Sequence, residues 1–90
     1  MSNIRFEATP SPRIIEVFKD HSETSTEKIY TIEGVYDRQG NFKHYLIWRE
    51  FNKIPYAKGK KYNSLEYVKE EIELEEMYND YCDREALLID

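Results

Sequence analysis

Residues 28–51 read KIYTIEGVYDRQGNFKHYLIWREF. Segments 28–37 and 42–51 are dense in β-branched and aromatic side chains, a composition that fits a pleated surface. Between them, Asp37-Arg38-Gln39-Gly40-Asn41 supplies the glycine that a bulged hairpin turn requires. The expected nucleus of the fold is therefore an antiparallel hairpin. Its second strand sets Phe42, Leu46 and Trp48 on one face and Tyr45, Ile47 and Phe51 on the other, so neither face reads as purely solvated.

Upstream, residues 3–8 alternate Ile4, Phe6 and Ala8 with Asn3, Arg5 and Glu7, the period of a half-buried strand. Ser11-Pro12 joins an N-cap residue to a proline at the first helical position. Ile14, Ile15, Val17 and Phe18 follow at spacings that make one apolar stripe, which predicts a short helix over residues 12–20. Residues 21–28 are polar and hydroxyl-rich, an exposed connection.

Downstream, residues 52–61 hold Pro55, Gly59 and four lysines, a basic loop with a short edge strand expected near residues 60–62. Asn63-Ser64-Leu65-Glu66 resembles a capping box, and a long acidic helix is expected over residues 64–82. Leu65, Val68 and Ile72 share one of its sides, while Tyr67, Leu74, Met77, Tyr78 and Tyr81 gather on the other. The expected fold class is α+β: one domain over residues 1–90, ordered β-α-β-β-(β)-α, its C-terminal helix packed on a small antiparallel sheet.

Ninety residues allow one core, and 40% apolar content with eight tyrosines is enough to fill it. The lone Cys82 permits no internal disulfide, which points to a reducing cytoplasm. The N-terminus lacks a basic segment followed by an apolar run, and no apolar stretch approaches the roughly 20 residues of a membrane span. Ala86-Leu87-Leu88-Ile89 form an apolar tail expected to dock on the domain or leave a small patch.

No catalytic, metal or cofactor site is expected. Cys82 stands on a glutamate-rich helix, where negative neighbours disfavour the reactive thiolate. His21 and His44 have no metal-ligand spacing to Cys82 or to each other, and Gly34, Gly40 and Gly59 are too scattered for a phosphate loop. The remaining signal is charge. The chain carries −5 overall, but residues 66–90 hold ten acids and two bases (−8) while the rest carries +3. Such a division bears on partners rather than on topology.

Two opposite binding readings follow. Lys53, Lys58, Lys60 and Lys61 interleave with Tyr56 and Tyr62, residues suited to phosphates and to base stacking. Three strands followed by a helix over residues 28–78 resembles integrase-arm and related small DNA-binding domains, although the basic, arginine-rich first strands of those domains are missing. Asn41 to Trp48 also lacks the glycine-spaced signature of RNA-recognition strands. The other reading gives Glu66, Glu70, Glu71, Glu73, Glu75, Glu76 and Asp80 to a cationic host protein. Tyr67, Leu74, Met77, Tyr78 and Tyr81 would then supply apolar contact with that protein or across a homodimer.

In size and composition the whole chain is similar to small early proteins of T-even-like and other phages, including anti-restriction proteins that mimic DNA. The similarity rests on residues 66–83 with Tyr67, Tyr78 and Tyr81. It implies a non-enzymatic, cytoplasmic inhibitor that offers an acidic, DNA-like surface to a nucleic-acid-binding host protein. A plain structural or accessory subunit is the third expectation.

Overall fold

The structure, a computed structural model, describes the backbone of residues 3–88 and the side chains of residues 3–79. Its elements in chain order are β1 (Asn3–Ala8), β2 (Ile14–Asp20), β3 (Thr26–Tyr36), β4 (Phe42–Arg49), a 3₁₀ turn at Tyr56–Lys58, and α1 (Leu65–Leu88). The strands form one antiparallel sheet in the order β1-β2-β3-β4, so every neighbour in space is a neighbour in sequence. With one C-terminal helix packed on the sheet, the class is α+β. Among the described residues no helix is long and apolar enough to cross a membrane.

The hairpin forms at the expected place. Asp37 Oδ1 accepts the backbone N–H groups of Gln39 and Asn41, both at 2.9 Å. Gly40 takes φ 85°, a left-handed conformation in which a Cβ would be strained. The register slips between Val35 and Tyr36, which supplies the bulge.

The helix expected over residues 12–20 is instead strand β2. Ile15 and Val17 pair with Ile32 and Tyr30 on the face beneath α1, while Ile14 and Phe18 lie on the other face. Two neighbouring apolar pairs read as a helical stripe, but they also suit a strand with apolar residues on both sides. Three of the four are β-branched, and a helix of two turns has little stability of its own. Ser11-Pro12 accordingly belongs to a turn. The Ile14 N–H donates to the Ser11 carbonyl at 3.3 Å, and Thr9 Oγ1 accepts the Ser11 N–H at 3.2 Å.

The two faces of the sheet differ. Beneath α1, Val17, Tyr30, Ile32, Ile47, Tyr62, Val68 and Ile72 are buried, with Ile4, Phe6, Ile15, Tyr45 and Leu65 packed around them. Burying one isoleucine of this set contributes about 1.5–3 kcal/mol. The opposite face carries half-buried Phe18, Leu46 and Trp48 within a lattice of charges. Glu16 and Glu50 flank Lys28 at 2.7 and 3.8 Å, Arg5 donates to Asp20 at 2.7 Å, and Trp48 Nε1 donates to Glu33 at 3.1 Å. The two apolar sides of β4 are thus explained, one by the helix and the other by polar neighbours. Phe51 leaves the pattern: β4 ends at Arg49, and the ring is 97% exposed.

The edge strand expected at residues 60–62 contributes only a bridge from Tyr62 to Tyr45. Tyr62 is nevertheless central, because its ring fills the core. Its hydroxyl is buried without a hydrogen-bond partner. Burial, and then the Glu71 carboxylate, push the phenol up to about 12, and burial raises Tyr30 further still. Both groups start from about 10 in the unfolded chain. Their neutral forms stabilise the fold fully below that value, and the contribution is lost as pH rises through the folded value. Tyr62→Phe is expected to raise the unfolding free energy at neutral pH by about 1 kcal/mol, since it deletes an unsatisfied buried hydroxyl. It should also make the alkaline loss of stability shallower, which urea titrations at pH values from about 8 to about 12 would check.

Candidate functional site

Ser64 starts α1. Its Oγ accepts the Tyr67 N–H at 3.2 Å, and its carbonyl accepts the Val68 N–H at 3.2 Å. The cap is therefore Ser64 and not Asn63, which puts Tyr67 at the third helical position and leaves Glu66 unable to close the expected box. This start aims Leu65, Val68 and Ile72 at the sheet. Glu66, Glu70, Glu73, Leu74 and Met77 point away, with Tyr67 and Tyr78 on their flank.

Of the seven carboxylates read as one surface, the six whose side chains are described divide in two. Glu76 is buried and meets Lys19 Nζ at 2.9 Å, a cation 57 residues away in sequence. Glu75 accepts the Tyr56 hydroxyl at 3.3 Å. Glu71 pairs with Lys60 at 3.2 Å, and the same ammonium donates to Tyr67 Oη at 3.1 Å. The Tyr67 hydrogen bond, and then Glu71, hold Lys60 well above the ordinary lysine range. The expectation of seven carboxylates reserved for an outside partner therefore needs correction: three are engaged by the domain itself. Supporting bases at i+4 along the helix are missing, but cations of β2 and of the 52–61 loop take their place.

Glu66, Glu70 and Glu73 remain exposed and, among the described residues, in no ion pair. Beside them Leu74, Met77 and Tyr78 are 59%, 67% and 64% exposed. The outer side of α1 thus carries acidic side chains from Glu66 to Glu73 and apolar ones directly after them. Asp80 and Tyr81, expected in the same surface, lie outside the described side chains, as do Cys82 and the 86–89 tail.

The lysine loop is built differently from its sequence reading. Tyr62 belongs to the core, and Tyr56 packs edge-on against Tyr30 at 5.9 Å while its hydroxyl is taken by Glu75. Lys53 pairs with Glu50, and Lys60 lies over the rings of Tyr62 and Tyr67, 5.1 Å from each. Lys58 and Lys61 are exposed. Of the six residues proposed to grip nucleic acid, neither tyrosine presents a free face for stacking.

Lys19 and Phe51 escaped the sequence reading. Lys19 lay within the expected helix, so nothing directed it toward Glu76. Phe51 was placed inside a strand that ends two residues earlier. Among the described residues no group of three or more His, Cys, Asp or Glu side chains is arranged to hold a metal ion. No family model, curated protein or solved structure matches the chain.

The Lys19–Glu76 pair joins sheet to helix with both side chains only 10% exposed. Lys19→Met leaves a buried carboxylate without its cation and is expected to cost about 3–5 kcal/mol. Lys19→Met combined with Glu76→Leu is expected to recover most of that loss, because an apolar pair of similar volume often replaces a buried ion pair at little cost. Denaturant unfolding of wild type, single and double variants checks both expectations.

Proposed function

We propose that this chain is a non-enzymatic binding protein that lays the outer side of α1 on a positively charged surface of another protein. One observation carries the reading: Glu66, Glu70 and Glu73 stand uncompensated beside exposed Leu74, Met77 and Tyr78, while the other described carboxylates of the set are already engaged. Exposed apolar side chains next to uncompensated charge of one sign suit a helix that docks in a groove with a cationic rim.

The charge spacing says how such contact would work. At 1.5 Å rise per residue the three glutamates span about 10 Å, roughly one charge per 5 Å. One DNA strand carries a phosphate about every 3.4 Å. As a DNA imitation the face is sparse, so the apolar residues supply most of the affinity and the glutamates supply steering and orientation. Inhibition of a nucleic-acid-binding host protein in the bacterial cytoplasm, the role implied by the likeness to phage anti-restriction proteins, is the narrower form of the proposal.

Capture from a bacterial lysate tests it with three immobilised forms: wild type, Glu66→Lys/Glu70→Lys/Glu73→Lys, and a control carrying Glu23→Lys in the exposed β2–β3 turn and Glu27→Lys at the exposed start of β3, which begins at Thr26 and so shortens the connection expected over residues 21–28. Wild type and control are expected to retain the same protein, with association slowing as salt rises, and the helix variant is expected to lose it. Leu74→Ala/Tyr78→Ala should speed dissociation about tenfold or more. Equal retention by the helix variant, or retention of duplex DNA by wild type, would sink the reading.

A further inference from the structure

The sheet has two edges, and only one is closed by the described residues. Along β4, Tyr45 exchanges both backbone hydrogen bonds with Tyr62, at 2.8 and 3.0 Å. The Arg49 N–H donates to the Ile54 carbonyl at 2.9 Å, and Trp48 is bridged to Pro55. The 52–62 loop thus covers that edge. Among the described residues nothing pairs with the outer edge of β1. β1 is six residues long, without proline, and its register with β2 runs unbroken from Asn3 to Ala8. Every second residue of such a strand points both its N–H and its C=O out of the sheet, which makes it a template for another strand.

Charged residues ordinarily guard an edge by repelling copies of themselves. Here the charges have opposite signs two positions apart, Arg5 and Glu7, on the same face of the same strand. In an antiparallel pair, residues that face each other must both offer or both withhold their backbone groups. Two copies of β1 related by a two-fold axis therefore centre on a residue, never between residues. Centring on Arg5 opposes two guanidiniums, and centring on Glu7 opposes two carboxylates. Centring on Ile4 overlaps only residues 3–5.

Centring on Phe6 keeps residues 4–8 paired. It sets Arg5 opposite Glu7 of the second copy, twice, and Ile4 opposite Ala8 of the second copy. The half-buried Phe6 rings meet at the axis, on the side of the sheet that α1 covers. Arg5 keeps its Asp20 partner at 2.7 Å in this arrangement, because Asp20 lies on β2, away from the free edge. Opposite charges facing each other across strands stabilise a register, and like charges destabilise it.

We infer that β1 is a self-association edge: two copies of this chain join β1 to β1 about a two-fold axis at Phe6, making one continuous eight-stranded sheet. The two helices lie on the same side of that sheet. This inference is independent of what α1 binds.

Light scattering and matched variants test it. From about 10 μM to about 1 mM, wild type is expected to move from the single-chain mass of 10.9 kDa toward twice that value. Glu7→Lys, whose side chain pairs with Arg5, and Arg5→Glu are each expected to remain at single-chain mass, with circular dichroism unchanged. Mixed in equal amounts they should double in mass again, since Arg5 then meets Glu7, and Lys at position 7 meets Glu at position 5. A second measurement avoids the charges altogether. In a Cys82→Ser background, Ile4→Cys and Ala8→Cys should form a disulfide-linked pair when mixed and not when oxidised separately. A wild type that stays at single-chain mass throughout, or variants that double separately, would overturn the inference. So would a mixture that neither doubles nor crosslinks.

Discussion

A four-stranded sheet carrying one helix can dry only one of its faces, and that constraint shapes most of this molecule. Ile32 on central strand β3 and Ile47 on the neighbouring β4 lie beneath Val68 and Ile72, with Tyr62 filling the space beside them. The hydrophobic free energy of this single layer must offset the chain entropy lost on ordering. The other face, left wet, is held by charge and hydrogen bonding around Phe18, Leu46 and Trp48. Lys28 serves Glu16 and Glu50 there, with its proton held more tightly than usual, first by Glu16.

The same layer redistributes the charge that looks segregated along the chain. Packing α1 on the sheet brings Lys19 to Glu76, and folding the 52–61 loop along β4 brings Lys60 to Glu71 and Tyr56 to Glu75. Such contacts link the helix to elements remote in sequence and fix its rotation about its own axis. Among the described residues, what remains unbalanced on α1 is an outer line of three glutamates next to apolar side chains. The proposed binding role rests on that remainder, and not on the total charge.

Legibility followed the range of the interaction. The hairpin was readable because Asp37, Gly40 and the flanking aromatic runs act within a few residues of each other. The helix start was readable to within one residue, since Ser64 and Asn63 are both good caps and only the direction of the Tyr67 N–H separates them. Residues 14–18 form a strand and not the expected helix because Ile14, Ile15, Val17 and Phe18 satisfy helical and strand periodicity alike, and pairing with β1 and β3 decides between them. The lysine loop misled for a related reason: Tyr62 and Tyr56 look like surface partners of lysine until the core that needs them is assembled.

Local chemistry in the sequence was therefore sufficient for the turn at residues 37–41, the β1, β3 and β4 segments, the inward stripe Leu65, Val68 and Ile72, and the outward set Tyr67, Leu74, Met77 and Tyr78. Each is governed by side-chain period or by a turn residue, properties that act over less than about four residues. Only the tertiary structure decided that residues 14–20 are a strand, which carboxylates have cations, which tyrosines are buried, and which sheet edge stays open. Those outcomes depend on groups from 11 to 57 residues apart, and their contact distances exist only after the chain has closed on itself.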